Sequence, residues 1–158
     1  MALSLDLIDV ELLNALQSDA DRSNVELARL VGLSPAATLN RVRRLKQSGL
    51  VKRVVAELDP TLAGFPLQVY VNVTIQSHDE TGHRRFAEAV NAMPEVISAA
   101  WVSGEIDAVL IIVAREIAEL QRVLVRLSTR AGASRITTLL RLEEIKPTSP
   151  LPLVSGGT

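Results

Sequence analysis

From residue 67 the chain alternates strictly, with Leu67, Val69, Val71, Val73 and Ile75 separated by Gln68, Tyr70, Asn72, Thr74 and Gln76. A period of two predicts a strand with one apolar face. The segments VISAAWV (96–102), AVLIIVA (108–114) and RITTLLRLEEI (135–145) predict three more strands. Between them the period becomes helical. Phe86, Ala89, Val90 and Met93 share one face of a helix over about residues 81–93, and Ile117, Leu120, Leu124 and Leu127 share a face of another. The order is β-α-β-β-α-β, a ferredoxin-like sandwich.

The first sixty residues are patterned as three helices. One starts near Asp6 and buries Ile8, Leu12, Leu13 and Leu16. A second opens on the capping box Ser23-Asn24-Val25-Glu26, buries Leu27, Leu30 and Val31, and ends at Gly32. The third follows at once, with Ser34 as N-cap, Pro35 at the first helical position and Gly49 at its close. Two helices joined by Gly-Leu-Ser have the spacing of a helix-turn-helix, whose second member enters the DNA major groove. Beyond it, LVKRVVAELDP predicts the short strands of a wing with Lys52 and Arg53 at the tip. The expected class is α+β, an N-terminal winged helix-turn-helix followed by the βαββαβ sandwich. Its parts are residues 1–59, a Pro- and Gly-containing linker at 60–66, the sandwich at 67–146, and a tail at 147–158.

Charge adds what periodicity lacks. The formal net charge is −1, yet residues 27–56 hold Arg29, Arg41, Arg43, Arg44, Lys46, Lys52 and Arg53 and no acid. Segregation of this kind is the electrostatic footprint of a nucleic-acid partner. At about 100° per residue, Thr38, Leu39, Val42 and Leu45 form the core seam of the third helix. Ala37, Asn40, Arg44 and Gln47 point the opposite way, with Ala36, Arg41 and Arg43 on the shoulders. Small residues let a helix end enter a groove, Asn and Gln can bond adenine edges, and Arg can grip guanine. The expected DNA-contacting set is Ser34, Ala36, Ala37, Thr38, Asn40, Arg41, Arg43, Arg44, Lys46, Gln47, Lys52 and Arg53, with the shoulder arginines, Lys46, Lys52 and Arg53 meeting phosphates.

The sandwich implies a second partner. A ferredoxin-like sheet carries helices on one face, yet AVLIIVA is apolar throughout, as in a strand buried on both faces. A second copy is the simplest cover, and a two-fold dimer would present two recognition helices to half-sites about 34–36 Å apart.

Composition narrows the alternatives. Aromatic residues make up 3%, too few for the stacking platforms of single-strand binders. There are no cysteines, so no disulfide or thiolate metal site, and the longest apolar run is far short of a membrane span. The opening MALSLDLIDVELL has acids where a secretory leader has bases, so a cytoplasmic protein without a membrane partner is expected.

The run LDLIDVELLNALQSDADRSNVELARLVGLSPAATLNRVRRLKQSGLVKR, followed by AELDPTLAG, VSGEIDAVLIIVARE and LEEIKPTSPLPL, resembles the Lrp/AsnC (feast/famine) transcriptional regulators over nearly the whole chain. The resemblance implies a winged helix-turn-helix joined to the regulation of amino acid metabolism domain. It also implies homodimers that assemble into octamers or similar discs, and an amino acid or related small effector bound between regulatory domains. The effector loop would be Ser103, Gly104, Glu105, Ile106 and Asp107, with Thr137 and Thr138 as further hydroxyl contacts. Gly104 would let the backbone approach a carboxylate, and Asp107 would receive an ammonium group. Family members commonly carry Gly-Asp-aromatic-Asp and a further aromatic, where this chain has Glu105, Ile106 and Ala108. The resemblance also implies that the PLPL of the tail packs on a neighbouring subunit, and the closing SGGT is expected to be mobile.

Two further readings accompany this one. The altered loop admits an effector-independent architectural DNA-binding protein. Sirohaem decarboxylases resemble the same two-domain plan but use histidines, and here the only ones are His78 and His83. No cofactor or metal is expected, and the sequence contains no catalytic triad order, phosphate loop or HExxH.

Overall fold

The computed structural model describes residues 4–154; the expectation for SGGT lies outside them. Two compact units are present, one made of residues 4–56 with 146–154 and the other of residues 57–145.

The first unit contains α1 (Leu7–Ser18), α2 (Asn24–Val31) and α3 (Pro35–Gln47). Each helix start is fixed by a side chain. Asp6 and Asp9 form a reciprocal capping box on α1, Ser23 and Glu26 another on α2, and Ser34 Oγ accepts from Ala37 N on α3. Gly32 ends α2 at φ 66°, the left-handed conformation that lets α3 begin three residues later. Leu12, Leu13, Ala15, Leu27, Val42 and Leu45 make the core, with Ile8, Leu16, Val31 and Val51 partly buried around it. Leu30 and Leu39, expected inside, are exposed. Each lies roughly 100° around its helix from the buried stripe, and Ala28 and Thr38 take the inward positions.

The expected wing strands do not form among the described residues. Residues 52–58 run without strand pairing, and Val54, Val55 and Leu58 are exposed. A two-stranded ribbon without a tight turn or a third strand gains too little from pairing to form by itself. The tail makes contacts within its own chain. Its Leu153 packs on the helical core of the same chain, and the Gln17 amide makes a two-way pair with Leu151, receiving from its N (2.7 Å) and donating to its O (3.2 Å).

The second unit is β1 (Leu67–Ile75), α4 (Glu80–Asn91), β2 (Val96–Trp101), β3 (Ala108–Ala114), α5 (Ile117–Thr129) and β4 (Ala133–Leu140). The sheet is antiparallel in the order β2-β3-β1-β4. This is the expected βαββαβ sandwich. Val69, Val71, Val73 and Ile75 of β1 pack with Leu110 and Ile112 of β3 against Phe86, Val90, Val123 and Leu127 of the helices. Val123 is fully buried, whereas Ile117, expected inside, is exposed. Strand β4 stops at Leu140, short of the expected end at 145. Arg141 N still donates to Gln68 O, but β1 begins at Leu67 and offers nothing further to pair with. Residues 59–65 form a hydrogen-bonded turn, with Phe65 N donating to Pro60 O at 2.7 Å and the Arg115 guanidinium lying over the Phe65 ring.

Candidate nucleic-acid interface and effector loop

Helix α3 is fastened at both its start and its flank. Asn24 Nδ2 donates to Pro35 O at 2.7 Å, tying the first turn of α2 to that of α3. Thr38, Val42 and Leu45 are its buried positions. Counting 100° per residue from that stripe, the outward face is Ala36, Asn40, Arg43 and Gln47, all exposed. Arg43 and Arg44 stand about equally far from the stripe, on opposite sides of that face, and Ala37 is half-buried on the flank. Lys46 is exposed on the other shoulder, and Ser34 at the N-terminus. Lys52 and Arg53 are exposed too, though on irregular chain instead of a wing tip.

Thr38 needs correction as a DNA contact. It is fully buried, and its Oγ1 has no hydrogen-bond partner. The residue fills a core position that β-branched volume suits, and it presents nothing to a groove.

Arg41 and Arg44 are not free cations. Arg41 Nη1 donates to Asp6 Oδ2 (2.6 Å) and Asp9 Oδ1 (2.9 Å), and Arg44 Nη2 donates to Asp9 Oδ2 (2.5 Å). The Asp9 side chain is 2% exposed. The Asp9 backbone N–H and then the Arg41 guanidinium hold the Asp6 carboxyl below the usual carboxylate range. Neither acid is in the expected site, but a signal exists. Asp9 stands on the same helical stripe as Leu12, Leu13 and Leu16, where an unpaired carboxylate is not tolerated.

In the second unit, Ser103, Gly104 and Glu105 are exposed between β2 and β3, and Ile106 and Asp107 are half-buried. Gly104 has φ 130°, open to the close backbone approach expected of it. Asp107 is already occupied. Its Oδ2 accepts from Ile75 N at 2.8 Å, His78 Nε2 lies 3.2 Å from both carboxylate oxygens, and its own N donates to Val73 O. The sequence suggests His78 only as a catalytic residue and does not announce its contact with the loop. His83 is separately engaged, stacked on Trp101 with ring centroids 4.7 Å apart. Thr137 pairs with Asn72 and Thr138 with Val71, so the two hydroxyls lie on opposite faces of the sheet. A site on one face takes only one of them, and the buried Val71 puts Thr138 on the helix side.

Both units are similar in sequence and fold to known proteins. Residues 5–46 match the AsnC-type helix-turn-helix domain, and residues 68–151 match the Lrp/AsnC ligand binding domain. The glutamate uptake regulatory protein of Zymomonas mobilis is 33% identical over 97% of this chain and 93% of that protein. The leucine-responsive regulatory protein of Haemophilus influenzae is 34% identical over 95% and 91%. Among solved structures, a transcriptional regulator of Neisseria meningitidis in complex with L-Met superposes with a TM-score of 0.88 at 32% identity, covering 94% of this chain and 96% of that one. An AsnC family transcriptional regulator from Agrobacterium tumefaciens gives 0.86 at 30%, covering 94% and 97%. With both domains matched in order along almost its whole length, the chain belongs to the Lrp/AsnC family of transcriptional regulators.

Proposed function

We propose that this regulator reads double-stranded DNA with the outward face of α3 and answers to an amino acid at the 103–107 loop. The observation that carries the DNA reading is the acid-free face of Ala36, Asn40, Arg43 and Gln47, opposite a buried Thr38, Val42 and Leu45. Asn40 and Gln47 have the donor and acceptor pair that matches adenine, and Arg43 has the fork that matches guanine. Ser34, Ala36 and Ala37 leave the helix N-terminus slim enough for the groove, and Lys46, Lys52 and Arg53 approach phosphates. The active species is a homodimer closed over the helix-free sheet face, which assembles into octamers or similar discs in the cytoplasm. Among the described residues no helix is long and apolar enough to cross a membrane.

The relative bound to L-Met supports an amino acid as effector here. Gly104 would admit its carboxylate. The engagement of Asp107 by Ile75 N–H and His78 favours a second reading, an architectural DNA-binding protein without an effector, because an ammonium group must share or displace the imidazole. Two measurements decide. Binding to duplexes enriched from a random pool should weaken with a log–log salt slope of about −0.9 per phosphate contacted, and no binding would end the DNA reading. A melting screen against the amino acids should show one that stabilises by RT ln(1 + [L]/Kd), and a flat screen would leave the architectural reading.

A further inference from the structure

We infer that Asp9, helped by Asp6, is a specificity-determining residue that withholds Arg41 and Arg44 of the recognition helix from DNA phosphates. The carboxylate of Asp9 is almost entirely buried, and each of its oxygens is met by a different guanidinium. A buried carboxylate cannot release such partners cheaply, because it would be left as an uncompensated charge. Arg41 is held twice, by Asp6 and Asp9, and Arg44 once, through Nη2. Arg41 is half-buried on the flank of α3 that meets α1, and Arg44, exposed at the edge of the Asn40–Arg43–Gln47 face, is held to α1 through Asp9. Two aspartates and two arginines sum to zero charge. Of the seven bases between residues 27 and 56, five remain without a carboxylate partner among the described residues: Arg29, Arg43, Lys46, Lys52 and Arg53.

The consequence concerns discrimination. Phosphate contacts strengthen binding to every sequence alike, whereas base-edge contacts favour one. By taking two arginines out of the phosphate-binding set, Asp9 lowers affinity for random DNA while leaving the reading face untouched. The inference rests on the DNA-binding reading above. A protein that binds no duplex would defeat that reading, whereas the outcomes below presuppose binding and concern Asp9 alone.

The test uses the full chain, a random-sequence duplex and a duplex enriched from a random pool by the unaltered protein. Asp9→Asn keeps the shape and the acceptor oxygen but removes the charge. The variant should bind random duplex on the order of tenfold tighter, with a log–log salt slope steeper by about 0.9–1.8 per protomer, and its preference for the enriched duplex should shrink. In the unaltered background, Arg44→Gln should leave the slope in place, while Lys46→Gln, at a phosphate-facing position, flattens it by about 0.9. Equal flattening by the two glutamine variants would overturn the inference, as would a folded Asp9→Asn protein with an unchanged or shallower slope. Should Asp9→Asn fail to fold, the comparison of Arg44→Gln with Lys46→Gln decides by itself.

Discussion

Tyr70 and Leu139 stand directly opposite each other in the antiparallel pairing of β1 with β4, on the sheet face that carries no helix. Ile111 pairs with Tyr70 from the other side, so one row of Leu139, Tyr70 and Ile111 crosses three strands of that face. Tyr70 and Leu139 are exposed in the single chain and Ile111 is half-buried. A contiguous apolar row of this kind is a surface awaiting a cover. If the proposed homodimer closes over this row, Ile111→Glu or Leu139→Glu should dissociate it by placing a carboxylate in the seam. Sedimentation should give a monomer mass at concentrations where the unaltered protein is at least dimeric. An unchanged mass for both would mean that the subunits meet elsewhere.

Thr38 offers a direct test of where the DNA face lies. Its hydroxyl is buried without a partner, a situation that costs about 1–3 kcal/mol in proteins. Thr38→Val should raise stability by about 1 kcal/mol in denaturant unfolding. DNA affinity and sequence preference should not move. A stable variant that binds DNA worse would return Thr38 to the contact set.

Much of this fold was legible in the alternation at 67–76, in AVLIIVA and in the caps at Ser23 and Ser34, because those patterns are local. What stayed hidden was long-range. Arg44 meets Asp9 across 35 positions, and no local rule announces that pairing. The wing strands and the extension of β4 to residue 145 failed for lack of a partner strand, which a single segment cannot reveal. The assignment of both Thr137 and Thr138 to one site is different, since neighbours on a strand face opposite ways and the sequence already argued against it. The exposure of Leu39 shows the limit of a wheel. An apolar side chain about 100° from the seam looks like core until the neighbouring helices are placed.

Acid should destabilise the protein in a defined direction. Hydrogen bonds at the helix caps, with help from nearby cations, lower the carboxyls of Asp6, Glu26 and Asp79 below their usual values. For Asp6 the leading donor is the Asp9 N–H, for Glu26 the Ser23 hydroxyl, and for Asp79 the Gly82 N–H. A group whose folded value is depressed contributes stability above its unfolded value, and that contribution is lost as pH falls through the folded one. The melting temperature at fixed ionic strength should hold from about pH 7 to 5 and fall below about pH 4, where free carboxyls take up protons. Asp6→Asn should flatten that acid limb. A melting temperature that rises on acidification would contradict the capping assignments.

The loop at 103–107 predicts a separable effect. Asp107 joins the loop to the end of β1 through Ile75 N and stands beside His78. Asp107→Asn should lower the melting temperature modestly and abolish any amino-acid-induced rise. His78→Ala, which frees the carboxylate for an ammonium group, should keep the fold and tighten the ligand. Calorimetry with the amino acid found by the melting screen distinguishes the two. Weaker binding by His78→Ala would make the imidazole part of the ligand's own contacts.

Gly82, in the first turn of α4, supplies the last test, since it is the one described glycine where a side chain has no room. A Cβ there would stand 2.2 Å from the Ser77 carbonyl oxygen, and that oxygen belongs to backbone that cannot simply rotate aside. Its N–H donates to Asp79 Oδ1 at 2.6 Å, so the glycine also closes the helix cap. Gly82→Ala must push α4 away from the 75–79 turn, at a cost of about 1–3 kcal/mol for an overpacked position. The same displacement reaches the proposed effector loop, because Ile75 N at the end of β1 and His78 on the turn are the partners of Asp107. Urea unfolding should show the loss of stability, and the amino-acid response should weaken while DNA binding through the separate helical unit persists. Full stability in Gly82→Ala would mean that the turn relaxes freely and that its grip on Asp107 is not set by the packing of α4.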